Sequence, residues 1–182
     1  MNRFSVLQRV RNKIKVERST TLDIAKNAKI VACCVEIKGE NNSLIIADGV
    51  YLRDVFIEII GHNCCITIEK DTIIGHQSYL SAKGESIVLR VGKECMFSRN
   101  VKVMTSDGHP LLQNGKVINE AKSITIEDNV WLADNATILK GVVVGQGSVV
   151  GINATLTHSI PKGCVAVGNP AKVVKEGIEW KK

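Results

Sequence analysis

The chain has 182 residues and a formal net charge of +6, a length that fits one domain with a buried core. Apolar residues make up 45% of the sequence, which excludes an intrinsically disordered chain. Residues 1–18 hold six basic side chains and one acidic side chain, so the other 164 residues are nearly neutral. We therefore expect no nucleic-acid binding, because phosphate recognition needs a continuous cationic face.

Residues 1–24 are predicted to form a basic capping segment. Phe4, Leu7, Val10 and Ile14 fall on one helical face, which predicts a short N-terminal helix. A second interpretation is contact with an anionic membrane surface or an acidic polysaccharide, at most peripheral. We expect no transmembrane helix and no secretory signal, because no apolar run has the required length.

Six cysteines occur, two pairs of them adjacent and none in a C-x-x-C motif. This spacing is not that of a secreted disulfide framework. In a reducing cytoplasm, the default location without an export signal, we interpret them as small apolar core residues. The six are Cys33, Cys34, Cys64, Cys65, Cys95 and Cys164.

Residues 25–165 are predicted to form a β-solenoid of seven to eight coils. Ile and Val total 43 against 11 Leu, which favours strands over helices. Residues 27–68 alternate apolar and polar positions with a loose repeat, and the same phase becomes regular further on. From residue 124 a large aliphatic side chain stands at every sixth position: Ile126, Leu132, Ile138, Val144, Val150 and Leu156.

Each six-residue unit, or hexad, predicts one short strand and one corner. The residue two before each aliphatic is small or apolar, so both point inward by period-two alternation. Three residues after each stands Asn, Gly or Ser, and Asn and Gly tolerate the positive φ of a tight corner. Three units close one triangular coil, and stacked coils give a prism of parallel strands.

Two features interrupt or end this repeat. The step from Val103 to Ile126 is 23 residues, which predicts a protruding loop over residues 105–122. After Pro161 the repeat stops, and residues 166–182 are predicted to form a basic C-terminal tail.

The loop opens with the sequence Thr-Ser-Asp-Gly-His-Pro at residues 105–110. A loop expelled from a regular solenoid is a natural place for function. An imidazole such as that of His109, held on an Asp-Gly turn and followed by a proline, can serve as a general base near neutral pH. The alternative from chemistry alone is a polar turn without a catalytic role.

The hexads, this loop and three further motifs resemble the hexapeptide-repeat acyltransferases. The motifs are Asn-Val-Trp-Leu-Ala at 129–133, Ile-Leu-Lys-Gly-Val at 138–142 and Gly-Asn-Pro-Ala-Lys at 168–172. Within that family the chain is most similar to bacterial sugar and capsular polysaccharide O-acetyltransferases. The resemblance is strong over residues 85–180 and weak before them. It implies a left-handed parallel β-helix, an all-β solenoid whose hand is a rare exception to the right-handed crossover rule.

The resemblance implies roles for three residues around the loop. His109 would be the catalytic base that deprotonates an acceptor hydroxyl. Asp107 would orient the His109 ring, with turn formation as an equal alternative. Asn100 would hold the acceptor, with a structural corner asparagine as the alternative.

Further residues are implied in binding the acceptor and the coenzyme. Trp131 would line the acceptor site and the pantetheine arm, and a backbone N–H of Ala133 or Asp134 would stabilise the oxyanion. The resemblance also implies coenzyme contacts at four more positions, although His158 stands where many relatives have lysine. These positions are Gly151, Thr157, Lys172 and Lys175.

No metal is expected. A related solenoid binds zinc through three histidines, but His62 and His76 form no closely spaced pair, and we interpret both as corner or surface residues.

The sequence-based hypothesis is an acetyl-CoA-dependent O-acetyltransferase that acts on a sugar hydroxyl of a surface polysaccharide or its precursor. By resemblance it is a cytoplasmic homotrimer with active sites between subunits, and it lies at most at the inner face of the membrane. Two alternatives stay open: a sugar-nucleotide N-acetyltransferase and a non-catalytic trimeric scaffold.

Overall fold

The computed structural model describes residues 4–181, which form a left-handed parallel β-helix. These residues contain one α-helix and 23 strands. Three parallel sheets form the sides of a triangular prism, and the chain passes through them in the order A, B, C in every coil. The predicted fold class is confirmed.

Face A is a seven-stranded sheet with one strand from each coil. Its strands in spatial order are β1 Lys13–Val16, β4 Cys34–Lys38, β7 Phe56–His62, β10 Tyr79–Glu85, β13 Lys102–Met104, β18 Thr137–Leu139 and β21 Thr155–Leu156.

Face B has six strands, and a bridge between Val144 and Ile160 extends it into the last coil. Its strands are β2 Thr21–Ile24, β5 Ser43–Ile46, β8 Cys65–Ile68, β11 Val88–Val91, β16 Ile124–Ile126 and β19 Val143–Val144.

Face C has eight strands, of which the last runs antiparallel to its neighbour. They are β3 Lys29–Val31, β6 Tyr51–Arg53, β9 Ile73–Ile74, β12 Met96–Phe97, β17 Trp131–Leu132, β20 Val149–Val150, β22 Val165–Gly168 and β23 Ala171–Lys175.

The core is the stack of inward-facing aliphatic side chains. All six hexad positions from Ile126 to Leu156 are fully buried, and so are the small or apolar residues two positions before them. Corner residues Asn129, Asn135 and Asn153 have φ between 53° and 62°, the left-handed region that asparagine tolerates. The predicted unit of inward pair and corner turn is therefore confirmed.

The N-terminal segment differs from its prediction. The helix α1 covers only Val6–Arg11, while Ile14 belongs to strand β1. Phe4 is buried against the core, but Leu7 and Val10 are 58% and 79% exposed. A single apolar helical face over residues 1–18 is thus wrong. The helix ends because the extended Asn12 bonds to the Ile30 carbonyl and the Cys33 N–H. Residues 1–3, including the basic Arg3, lie outside the described residues.

The parallel pairing extends beyond both ends expected from the hexads. Strand β1 pairs with β4 from Lys13 onward, so the first coil begins before residue 25. At the other end β22 pairs in parallel with β20, past Pro161. The tail then turns back and adds β23 to the edge of face C.

Four of the six cysteines lie in the core. Cys33, Cys64, Cys95 and Cys164 are buried, and all six are free thiols. Burial raises the pKa of Cys33, Cys64 and Cys164 above the ordinary thiol value, which keeps them protonated and unreactive. The structure thus agrees with the interpretation as small apolar core residues for these four, whereas Cys34 and Cys65 are only half-buried.

Among residues 4–181, no helix has both the length and the apolar character needed to span a membrane.

Candidate active site

The loop interrupts the coil at the corner between faces A and B. It leaves face A after Met104 and re-enters face B at Ile124. Between them lies an antiparallel hairpin of β14 Leu112–Gln113 and β15 Lys116–Val117. Its two turn residues, Asn114 and Gly115, both have positive φ, as a two-residue hairpin turn requires. The structure thus has a protruding loop where the repeat is interrupted, between Met104 and Ile124.

His109 lies on this loop just before the hairpin, and its side chain is exposed. The backbone around it is held by one amide side chain. Asn119 donates from Nδ2 to the His109 carbonyl at 2.9 Å, and its Oδ1 accepts the Leu111 N–H at 2.6 Å. The imidazole is therefore presented to solvent on a turn whose backbone is fixed on both sides of Pro110.

Asp107 braces the same turn. Its Oδ2 accepts from Lys140 Nζ at 2.5 Å and from Asn119 Nδ2 at 2.8 Å. The hydrogen bond from Lys140, followed by that from Asn119, lowers the pKa of Asp107 below its ordinary value. Across residues 4–181 the structure shows no hydrogen bond from the His109 ring to Asp107. The carboxylate instead accepts from Lys140 and Asn119, which matches the alternative of turn formation, and the ring-orienting role stays a prediction.

Trp131 lies on the outer surface of face C and walls a shallow groove of about 530 Å³. Its indole N–H donates to Ser98 Oγ at 3.1 Å. The ring packs against that of Trp180, with centroids 5.9 Å apart. Trp180 itself donates to the Asn129 carbonyl at 2.7 Å. Sequence reasoning missed Trp180, because it lies in a charged tail outside the repeat.

The groove continues to the corner between faces C and A. There Asp134 accepts three hydrogen bonds from Arg99, one from its backbone N–H and two from its guanidinium. The hydrogen bonds from Arg99 lower the pKa of Asp134. The Ala133 N–H donates to the Val150 carbonyl at 2.9 Å and is committed to the sheet. Of the two backbone N–H groups predicted to stabilise the oxyanion, that of Asp134 is therefore the remaining candidate.

Asn100 has a structural contact at this corner. Its Nδ2 donates to Asn135 Oδ1 at 2.8 Å, and Asn135 donates in turn to Asn153 at 2.9 Å. All three residues have positive φ. The arrangement matches the alternative of a structural corner asparagine, and acceptor binding by Asn100 stays a prediction.

The remaining predicted coenzyme contacts are dispersed. Gly151 lines the Trp131 groove. Lys172 and Lys175 are exposed on strand β23, at the edge of face C. Thr157 follows strand β21 of face A, and its hydroxyl lies 2.9 Å from His158 Nδ1. The structure brings Gly151 together with Trp131 and places Thr157 on another side of the prism.

Two sets of site residues thus occupy different parts of one protomer. The His109 loop extends from the A–B corner, and the Trp131 groove lies on face C, which is the side of the triangle opposite that corner. The packed core of the prism lies between them.

Residues 123–158 match the family described as bacterial transferase hexapeptide (six repeats). Over 169 residues the chain is 35% identical to a polysialic acid O-acetyltransferase of Neisseria meningitidis, a match that covers 91% of this chain and 77% of the relative. The chain belongs to the hexapeptide-repeat acetyltransferases, as its motifs predicted, and is an acetyltransferase.

The solved structures give the same result. The polySia-specific acetyltransferase NeuO matches with a TM-score of 0.71 at 32% identity, over 93% of this chain and 83% of that one. The polysialic acid O-acetyltransferase OatWY matches with a TM-score of 0.68 at 28% identity, over 94% and 91%. A polysialic acid O-acetyltransferase of Escherichia coli O1:K1 is 35% identical over 59% of this chain, but that match spans only 37% of the relative.

Proposed function

We propose that the protein transfers an acetyl group from acetyl-CoA to a sugar hydroxyl of a surface polysaccharide, such as a capsule, or of its precursor. The observation that carries this proposal is the exposed imidazole of His109 on a braced turn, in a chain similar over 91% of its length to a polysialic acid O-acetyltransferase. An acidic sugar polymer is the acceptor class favoured by the names of the relatives from Neisseria meningitidis and Escherichia coli O1:K1.

In the proposed reaction His109 takes the proton of the acceptor hydroxyl. The hydroxyl oxygen then attacks the thioester carbon, an ester bond forms, and the carbon–sulfur bond breaks. The proton returns to the leaving thiolate, which gives free coenzyme A. Transfer is direct, within a ternary complex, so no cysteine nucleophile is needed. A placed general base contributes roughly 10²- to 10⁴-fold, and holding both reactants together contributes further.

The Trp131 groove supports binding of the coenzyme arm. Gly151 lies on its lining, where an added Cβ would come within 2.7 Å of the Val167 side chain, so this position has no room for a larger residue. The backbone N–H of Asp134 is the proposed oxyanion donor, a contact typically worth several kcal/mol, about 3. Lys172 and Lys175 supply positive charge for the phosphates of coenzyme A.

We include a homotrimer in the proposal, with each active site between two protomers. The separation of His109 from face C within one protomer supports it. The hairpin also presents four largely exposed apolar side chains, which suit a protein neighbour better than water. They are Leu111, Leu112, Val117 and Ile118, at 46% to 66% exposure.

Subunit complementation tests the shared site. Co-expressed His109→Ala and Trp131→Ala chains would mix within trimers, and in a cyclic assembly about a quarter of the interfaces would pair an intact His109 with an intact Trp131. We expect activity to reappear at about that fraction of the wild-type value. If mixed trimers form and stay as inactive as either parent, each site lies within one protomer.

The reaction itself is tested with purified protein, acetyl-CoA and a panel of glycans that includes polysialic acid, a neutral polysaccharide and amino sugars linked to nucleotides. We expect release of coenzyme A with the acidic polymer and an acetyl group that mild base removes from the product. A base-stable acetyl group would instead identify an N-acetyltransferase. No transfer to any acceptor in the panel would contradict the proposed acceptor class.

The proposed location is the cytoplasm, where free thiols such as those of this chain persist, with at most peripheral membrane contact. The exposed Val6, Leu7 and Val10 lie close in sequence to Arg9 and Arg11, a combination that suits an anionic lipid surface. Sedimentation with vesicles that contain phosphatidylserine tests the contact. Equal recovery with uncharged vesicles, or none with either, would contradict it.

A further inference from the structure

We propose that Lys140, Asp107 and Asn119 form a positioning clamp that fixes the His109 turn to the solenoid. The inference rests on the proposed role of His109 as the base and extends it to residues outside the His-Pro sequence. Lys140 and Asn119 have no assigned role in the sequence-based hypothesis, although Lys140 lies within one of the family-like motifs. We call these three residues the clamp.

Asn119 connects the two sides of the hairpin base. It contacts the chain on both sides of Pro110, at the His109 carbonyl and the Leu111 N–H. Proline has no N–H of its own to anchor the turn. One amide therefore sets the path of the backbone that carries the imidazole.

Lys140 connects this turn to the scaffold. It follows strand β18, in the coil next to the one that the loop interrupts. Its Nζ donates to Asp107 Oδ2 and to the Asn119 carbonyl, at 2.5 and 2.8 Å. The Lys140 side chain is only 18% exposed, so the ammonium is held in one place rather than sampling solvent.

Apart from the hairpin pairing and the bond from the Ile118 N–H to the Leu111 carbonyl, the loop is also tied at its two ends. Thr105 bonds to the Ser81 carbonyl, and the Lys122 N–H donates to the Thr105 carbonyl. These bonds fix where the loop leaves and re-enters the coil, but not the direction of His109 between them. The clamp supplies that constraint, because a charged pair and an amide cross the loop at its middle.

A phosphate contact is the other role available to a lysine near a coenzyme site. The geometry favours the clamp, because Lys140 already donates to two protein oxygens and is largely covered. Freeing it for a phosphate would leave Asp107 without its ion-pair partner. The exposed Lys172 and Lys175 need no such rearrangement.

Kinetics of Lys140→Met test the clamp. The substitution keeps length and removes the charge and the donors. We expect kcat to fall about 10- to 100-fold, since a displacement near 1 Å can cost that much, while KM for acetyl-CoA changes little. Lys140→Arg, which restores a donor, should recover part of kcat. Lys116→Met, an exposed lysine of the same hairpin, is the matched control and should keep wild-type kcat.

A second measurement does not depend on activity. In wild-type protein the Leu111 N–H is hydrogen-bonded to Asn119, so it should exchange slowly with solvent. Exchange should become faster in Asn119→Ala and in Lys140→Met, with no change at core amides such as Ile138. In kinetics the double variant should lose little more kcat than either single variant, because residues of one network are not additive.

Three results would overturn the clamp: an unchanged kcat in Lys140→Met, a rise in acetyl-CoA KM without a fall in kcat, or Leu111 exchange that stays slow in both variants. The first would show that the His109 turn keeps its conformation without Lys140. The second would point to a contact between Lys140 and a phosphate of the coenzyme. Failure of the proposed function looks different, because His109→Ala would then keep full activity while Leu111 exchange still responded to Lys140→Met.

Discussion

The regular coils over residues 124–159 and the loop over residues 105–122 contain similar apolar and polar side chains but differ in how they bury and hydrogen-bond them. In the coils the aliphatic hexad residues are completely buried, and the corner asparagines bond to one another from coil to coil. In the loop four apolar side chains are exposed. There the polar residues bond to the turn that carries His109.

The difference separates the part of the chain that stabilises the fold from the part that carries the proposed catalytic base. The coils can repeat because the residues of each corner contact the corners of the coils above and below. The loop has no repeating neighbour, so its contacts are made once and are specific to one turn. We therefore expect substitutions at the inward-facing positions of the coils to change the free energy of unfolding, and substitutions in the loop to change catalysis.

The largest expected effect is on activity, from His109→Ala. Without the base, kcat should fall by roughly 10²- to 10⁴-fold, while the melting temperature stays unchanged because the side chain is exposed. Steady-state kinetics and thermal unfolding measure the two. The control is His62→Ala, an exposed histidine at the end of strand β7, which should keep normal rates. Similar losses in both variants would contradict a specific role for His109.

The second effect is on stability, from Ile138→Ala. Ile138 is fully buried, and deleting such a side chain typically costs about 2–5 kcal/mol in the free energy of unfolding. Thr137→Ala, one residue away on the outer surface of the same strand, should cost about 0.5 kcal/mol or less. Urea unfolding of both variants measures the difference. Equal costs would mean that the inward hexad positions do not carry the fold.

A smaller loss of stability is expected from Asn135→Ala. Asn135 has φ of 62°, and alanine there costs about 1–2 kcal/mol besides the lost bonds to Asn100 and Asn153. Asn135→Gly removes the same bonds but accepts the backbone conformation. The glycine variant should therefore be the more stable of the two in urea unfolding. A change in kcat with unchanged stability would instead assign this corner to the acceptor.

The smallest effect on stability is expected from the Lys140–Asp107 pair, because Asp107 is 40% exposed. Lys140→Met should lower the free energy of unfolding by about 1 kcal/mol or less at neutral pH. Since the pair lowers the pKa of Asp107, its contribution is present above the ordinary carboxyl pKa and is lost as the pH falls through the lowered value. Unfolding of both proteins between pH 7 and about pH 3 should show the difference shrink toward zero.

Much of the fold could be predicted because the repeat depends on residues that are close together in the sequence. The six-residue spacing, the period-two alternation and the asparagines suited to positive φ each report on one strand or one corner. The 23-residue step located the loop for the same reason. The prediction for residues 1–18 was weaker, because a helical pattern over so few turns does not say where Asn12 will bind the first coil.

The candidate site was predictable only as a set of residue types. His109 and Trp131 stand out through their motifs, whereas Asn119 and Trp180 carry no local pattern. Their roles depend on contacts across 10 and 49 positions of sequence, to the His109 carbonyl and the Trp131 ring. The bracing role of Asp107 likewise depends on Lys140, which lies 33 positions away.

By itself the sequence determined the β-helix, the position of the loop and the family, because periodicity and motif are properties of neighbouring residues. Only the tertiary structure decided which donors are already used, as with the Ala133 N–H. It also decided which side of the prism each residue occupies. That placement separates His109 from the Trp131 groove, because the packed core of the triangle lies between a corner and the face opposite it.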